Sequence, residues 1–260
     1  MIRISDVSFI REEKTILNGV NWNVNAGEQW VLLGANGSGK TTLLEIVNGY
    51  QFPSKGKVEV LGHTYGEVDL REVRKEIGYL SQSLFEKLTP RDPLWEAVAT
   101  GESAFLRFYT EISNELKERA MARLEQVGLI RHAEHPIGTL SQGERKKALL
   151  ARALMAGPKL LIMDEPCSGL DIYEREKFLE VVNGLGSDAT LVYVTHHIEE
   201  IIPIFTHVAM IRAGDITAAG GKKEVLTSAN MERTFGVAVQ LEWEDERPWG
   251  KVKGFPPKMK

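Results

Sequence analysis

The sequence predicts an α/β fold organised around a mostly parallel sheet. Three observations carry that expectation. A buried run, Gln29-Trp30-Val31-Leu32-Leu33, enters a glycine-rich loop and then a helix. Residues 160–163 and 190–194 read as strands, and residues 174–183 and 197–202 read as the helices that follow them. Such βα alternation builds parallel sheets, whereas antiparallel strands are joined by tight turns.

Taken in order, residues 1–33 read as short strands and turns, with Asn25-Ala26-Gly27-Glu28 a turn. Residues 41–48 are expected to be helical and to stop at Gly49. A strand-rich piece at 56–62 precedes Ile77-Gly78-Tyr79-Leu80-Ser81-Gln82. From 84 to about 128 the character becomes helical, because Ile112, Leu116, Ala120, Leu124 and Val127 recur at helical spacing. Residues 142–156 form a further helix, stopped by Gly157-Pro158, with Leu149, Leu150, Ala153 and Leu154 on its apolar face. In the tail, 237–243 alternate like a strand, 244–248 read as a turn and 249–253 as a returning strand. Past Gly254-Phe255-Pro256-Pro257 the chain reads as loose.

Composition excludes several function classes. A formal net charge of −4 over 260 residues leaves no basic footprint, so nucleic acid is not an expected partner. The single cysteine, Cys167, rules out an internal disulfide and fits a reducing compartment. The N-terminus alternates like a strand and lacks the apolar core of a signal peptide. No apolar stretch approaches the ~18 residues of a membrane span. The best candidate, 191–212, is broken by His196, His197, Glu199 and Glu200. Any membrane role is therefore exercised from outside the bilayer.

Chemistry concentrates in three places. Gly34-Ala35-Asn36-Gly37-Ser38-Gly39-Lys40-Thr41-Thr42 matches G-x-x-x-x-G-K-[ST] between a strand and a helix. Glycines at 34, 37 and 39 let backbone N–H groups approach phosphates, and the helix N-terminus adds donors and a positive dipole end. Lys40 is placed to reach the β- and γ-phosphates, and Thr41 to offer its hydroxyl to Mg²⁺. Asp164 follows four apolar residues, so a carboxylate at a dry strand's end can face a metal, and Glu165 can orient or deprotonate water. Between them lies Leu140-Ser141-Gln142-Gly143-Glu144. Ser141 and Glu144 are explained as a capping box. Gly143 is not, since glycine is costly in a first turn unless something comes close to the backbone. That helix start suits an anion held against its far face by the phosphate loop.

On these motifs the chain resembles the ABC (ATP-binding cassette) ATPases over about residues 2–225. Leu140-Ser141-Gln142-Gly143-Glu144 is close to the family's LSGGQ signature, with Gln142 and Glu144 as variants. The resemblance implies a P-loop NTPase (RecA-like) core with an N-terminal antiparallel β-subdomain and a helical signature subdomain. It makes residues 1–230 one nucleotide-binding domain, with the helical part at about 84–156 inserted, and leaves 231–260 as a tail with a β-hairpin. It implies further roles: Gln82 for contact with Mg²⁺ and the attacking water, Ser168-Gly169-Leu170-Asp171 for crossing a dimer interface, and His196 for the γ-phosphate. ATP would lie between Lys40, Thr41 and Thr42 of one copy and Ser141 and Gly143 of the other, with Mg²⁺ on Thr41, Gln82 and Asp164. Where the family stacks adenine on an aromatic residue this chain carries Arg11, whose guanidinium can stack on a base or stay solvated beside Glu12 and Glu13.

Two settings for this motor are open at the level of sequence. One is the cytoplasmic ATPase subunit of a membrane permease, peripheral at the inner face of the cell membrane and paired with a second copy or a homologous subunit. The other is a soluble ABC ATPase working without a permease in regulation, translation or repair. Fifty-nine positions separate Gln82 from Ser141, a compact helical insert of the transporter type. Leu84, Phe85, Leu88, Leu94 and Trp95 would either line a groove for a permease helix or form the insert's own core. Gly27-Glu28-Gln29-Trp30 and Thr195-His196-His197-Ile198-Glu199-Glu200-Ile201 look most like the molybdenum-transport-type, ModF-like group.

Overall fold

A computed structural model describes residues 1–103, 106–109, 111–186 and 189–255, without the side chains of residues 82 and 83. The chain begins with β1 (Ile2–Arg11), β2 (Lys14–Val24), β3 (Trp30–Leu33) and α1 (Lys40–Val47). It continues through β4 (Lys55–Val60), β5 (His63–Thr64), α2 (Leu70–Lys75), β6 (Ile77–Leu80) and α3 (Gln82–Phe85). Then come α4 (Leu94–Ala99), α5 (Asn114–Gln126), α6 (Gln142–Ala153), β7 (Leu160–Asp164), α7 (Ile172–Asn183) and β8 (Thr190–Thr195). The last elements are β9 (His207–Arg212), β10 (Asp215–Gly221), α8 (Lys222–Val225), α9 (Ser228–Phe235), β11 (Ala238–Glu244) and β12 (Arg247–Gly254). They form two compact units, Met1–Val73 with Thr190–Lys260, and Arg74–Ala189.

In the first unit, β3 runs parallel to both β8 and β9, with Leu33 opposite Thr195 on one side and Met210 on the other. All four residues of β3 are buried, as a central parallel strand requires. Gln29 ties the strands at their base: its side chain accepts from the Leu191 N–H at 2.5 Å, and its carbonyl accepts from Thr206 and His207. Trp30 stacks on His207 at 4.9 Å and donates to Glu28 at 2.9 Å.

The same unit holds the antiparallel sheet β2-β1-β4-β5. The N-terminal strands are longer than expected, because a register shift joins two apolar phases in β1. Ile2 and Ile4 are buried before it, and Val7 and Phe9 after it. Asp6 carries the irregularity at φ 52°. The tail forms the hairpin β11–β12, closed by Asp245 and Glu246.

In the second unit β6 pairs with β7 in parallel, Leu80 opposite Met163. Helix α4 packs on α5 and α6 around Leu94, Val98, Leu124 and Leu150, all buried. Ser113 caps α5, so the helix begins after Ile112 and buries Ala120 and Leu124. Helix α6 stops at Ala153, three residues before the expected end, as the chain turns into Gly157 at φ 59°. The helix expected at 197–202 is reduced to a 3₁₀ turn, Ile198–Glu200. Pro203 follows Ile202, and a residue before proline is driven out of the α region.

Candidate functional site: a phosphate loop and a signature helix

The first unit carries the phosphate loop between β3 and α1. Gly37 and Gly39 take φ values of 75° and 106°, conformations only glycine adopts without strain. Gly34 is also required by packing. A Cβ there would lie 2.5 Å from the Ile211 carbonyl oxygen, so this glycine lets the loop pack against β9. Helix α1 begins at Gly39 with no side-chain cap and no acid in its first turn, leaving its leading N–H groups to an anion. The Lys40 ammonium is buried and donates to the carbonyls of Gly34 at 2.9 Å and Ala35 at 3.1 Å. Ser38 Oγ is buried without a hydrogen-bond partner among the described residues. Asn36, Gly37 and Thr41 are exposed, and Thr42 is half-buried.

The loop also meets β8. The Gly34 N–H donates to the Thr195 carbonyl at 3.3 Å, so His196 leaves the sheet beside the loop. His196 is half-buried and His197 exposed, their rings 4.1 Å apart. Arg11 is exposed, with its guanidinium 5.4 Å from the Phe9 ring centre and 3.9 Å from Glu45 on α1. That keeps a planar cation beside the phosphate-loop helix.

The second unit carries Gln82, the signature and the two acids. Ser141 caps α6 reciprocally: the Glu144 carboxylate accepts from the Ser141 N–H at 2.8 Å, and Ser141 Oγ accepts from the Glu144 N–H at 3.3 Å. Partial burial raises the Glu144 pKa, but the two Ser141 contacts, with His132 and Lys147 nearby, outweigh it and hold the carboxyl below its ordinary value. Ser141 and Gln142 are exposed and Gly143 is buried.

What covers Gly143 was not legible in sequence. A Cβ there would overlap the Glu174 carboxylate, whose Cδ would be 2.8 Å away. Glu174 stands in the first turn of α7, where Asp171 caps the helix by accepting from the Glu174 N–H at 2.9 Å. The D-x-x-E spacing of Asp171 and Glu174 was the available signal, and it announces a helix start rather than a neighbour of Gly143.

Asp164 ends β7 half-buried after four buried residues. Glu165 follows at φ 45°, a strained conformation for a residue with a Cβ and one that collects at functional sites. Phe85, Gln142, Arg145, Leu149, Ser168 and Gly169 line a cavity of about 200 Å³, so the segment after Gln82, the signature helix and the Ser168–Asp171 turn converge within this unit. The Gln82 side chain lies outside the described residues. Of the apolar side chains after it, Leu88 and Leu94 are buried in the helical unit, which removes them from any groove. Trp95 is half-buried, donating to Glu134 under the Lys117 ammonium.

Comparison with known proteins decides the family. A family profile described as "ABC transporter" matches residues 17–168. The uncharacterised ABC transporter ATP-binding protein YlmA of Bacillus subtilis is 40% identical over 96% of both chains. This chain belongs to the ABC transporter family.

It is an ATP-binding ATPase subunit of that family, and other similarities agree. The methionine import ATP-binding protein MetN of Caulobacter vibrioides is 34% identical, over 86% of this ABC ATPase and 68% of that protein. A solved dimeric, post-hydrolysis structure of the ATP-binding cassette MJ0796, bound to ADP and Pi, has a TM-score of 0.73 and 26% identity, covering 85% of this chain and 98% of that one. The ABC ATPase has no helix among its described residues long and apolar enough to cross a membrane.

Proposed function

We propose that this ABC ATPase binds ATP between two copies of itself, or itself and a homologous subunit, and drives a membrane permease from the cytoplasmic face. The observation that carries the proposal is that the chain holds two incomplete anion sites, one in each unit. One is an uncapped helix start with a buried lysine; the other is an exposed Ser141 beside a buried Gly143. Each supplies donors to one face of a triphosphate.

The Lys40 ammonium trades the Gly34 and Ala35 carbonyls for the β- and γ-phosphates, with the α1 N–H groups around them. Arg11 stacks on the base. Ser141 and the Gly143 backbone, with Gln142 and Glu144 shaping the helix start, approach the γ-phosphate from the other copy, and Asp171 meets the partner across the interface. Glu165 orients and deprotonates the attacking water, and His196 steadies the γ-phosphate. Thr41, Gln82 and Asp164 offer a hydroxyl, a carboxamide and a carboxylate, an all-oxygen set suited to Mg²⁺. When bound, that ion neutralises charge on the β- and γ-oxygens. Loss of the γ-phosphate removes the ligand that joins the copies, so the pair opens.

The permease assignment follows from the transporter family and the compact helical unit. The finer likeness to molybdenum-transport-type ATPases gains nothing from the relatives named above. Gln29 and Trp30, which suggested it, are explained as ties between strands, so the cargo is left unnamed.

The test is a Glu165→Gln variant with Mg²⁺ and ATP. It should elute as a dimer, return to monomer without nucleotide, and co-purify with a permease from its own membranes. A protein that stays monomeric with ATP refutes the shared site. A dimer found only in the soluble fraction favours an ABC ATPase working without a permease.

A further inference from the structure

The C-terminal hairpin belongs to none of the motifs above, yet it is built onto the segment that follows His196, within the same unit. Strand β12 packs on the 3₁₀ turn Ile198–Glu200. Arg247 Nε donates to the Glu199 carbonyl at 2.6 Å. Gly250 lies so close that a Cβ would sit 3.3 Å from Ile198 Cγ2. At the hairpin's tip, Glu246 pairs with Lys223 of α8 at 2.9 Å, which fastens the other end to the body of the unit.

From this turn a short chain of contacts leads to the phosphate loop. The Glu200 carboxylate is buried and accepts from the Tyr193 hydroxyl at 2.9 Å and the Thr195 hydroxyl at 2.7 Å. The Thr195 hydroxyl also accepts from the His197 N–H at 3.0 Å. The Thr195 carbonyl accepts from the Gly34 N–H, so His196 lies between Thr195, tied to the phosphate loop, and His197, tied to the Thr195 hydroxyl. The turn itself is weak: three residues long, it has no side-chain cap at His197, and isolated 3₁₀ turns have poor hydrogen-bond geometry. Its position rests on the buried Glu200 contacts on one side and on the packing of β12 on the other.

We infer that the β11–β12 hairpin is a clamp that positions His196, with Arg247 as the positioning residue. By holding the Glu199 carbonyl, Arg247 fixes Ile198–Glu200, and through Glu200 and Thr195 it sets how the histidine meets the terminal phosphate. The inference rests on the role proposed for His196.

Steady-state ATPase kinetics and hydrogen exchange test it, using Arg247→Ala, Arg247→Lys, His196→Ala and the double alanine variant in the full chain. Arg247→Ala should lower kcat about tenfold, the scale of one hydrogen bond from a charged donor, and leave KM for ATP within about twofold. Exchange at residues 195–202 should quicken. Arg247→Lys should recover part of both, since an ammonium can donate to the same carbonyl without the guanidinium's fixed geometry. The double variant should be no slower than His196→Ala, because both changes act on one group. Wild-type turnover by His196→Ala would overturn the histidine's role and the inference with it. Unchanged exchange at 195–202 in Arg247→Ala, with His196→Ala inactive, would overturn the clamp alone.

Discussion

Replacing Gly143 with alanine separates what the fold needs at the signature from what a partner's nucleotide needs. Gly143 does not have a positive φ, so the backbone accepts alanine without strain. The atoms nearest the added methyl all belong to Glu174, a flexible, half-buried side chain whose carboxylate it would overlap. Swinging that side chain aside costs about 0.5–1.5 kcal/mol if it is forced off its rotamer. Against this, alanine gains up to about 1 kcal/mol of helix propensity over glycine, less in a first turn. The two nearly cancel, so the melting temperature should move by no more than about 4 °C for a chain this size. ATP binding by the isolated chain should be unchanged by equilibrium dialysis, since Lys40 and its loop are untouched. ATP-driven pairing, read by size-exclusion chromatography in a Glu165→Gln background, should be lost, because the methyl stands where the backbone would meet phosphate. Two results refute the reasoning. A drop in melting temperature well beyond that range would mean that Gly143 is there for packing. An intact ATP-dependent dimer would mean that no close approach occurs at this residue.

Three further outcomes are expected. Glu165→Gln keeps the backbone at φ 45° occupied by a side chain of the same shape, so it should fold normally while phosphate release slows by about 10²–10⁴-fold, the usual contribution of a general base. Gly34→Ala should be destabilised by about 1–3 kcal/mol in urea unfolding, because its methyl meets the Ile211 backbone carbonyl of β9 at 2.5 Å, which cannot swing aside. Glu144 is held below its ordinary pKa, so its stabilising contribution is complete above the usual carboxylate range and is lost as pH falls through the folded value. Melting curves taken down the acid limb should therefore be shallower for Glu144→Gln than for the wild type, and parallel curves would discount the cap.

Sequence showed the phosphate loop and the acids because their signals are local. The strand, the glycines, the lysine and the helix start all fall within Trp30–Val47, and each reinforces the others. The N-terminal hairpin was harder, for two physical reasons. At Asp6 the bulge slips the apolar alternation by one residue, so a single strand reads as two fragments. The two-residue loop then uses Glu12 and Glu13, both with positive φ, in place of the glycine or asparagine that such turns favour. Asp245 and Glu246 do the same in the tail. Residues 197–202 failed differently: Ile198, Ile201 and Ile202 are buried as an apolar face would be, but Pro203 leaves no room for a second turn.

The least legible features are contacts whose partners leave no trace in side-chain pattern. The capping box accounted for Ser141 and Glu144 and correctly left Gly143 unexplained, and an approaching phosphate was the natural candidate for what comes close. The structure adds Glu174, a carboxylate near the start of α6, where an anion is favoured. A carboxylate already at that helix start does not argue against a phosphate there; it shows that the position accommodates negative charge. The hairpin is the stronger case. Arg247 reaches forty-eight residues back to a backbone carbonyl, an acceptor every residue possesses, so nothing about Glu199 marks it as the target. Only the fold, by laying β12 across Ile198–Glu200, turns an ordinary arginine into a contact with the segment that carries His196.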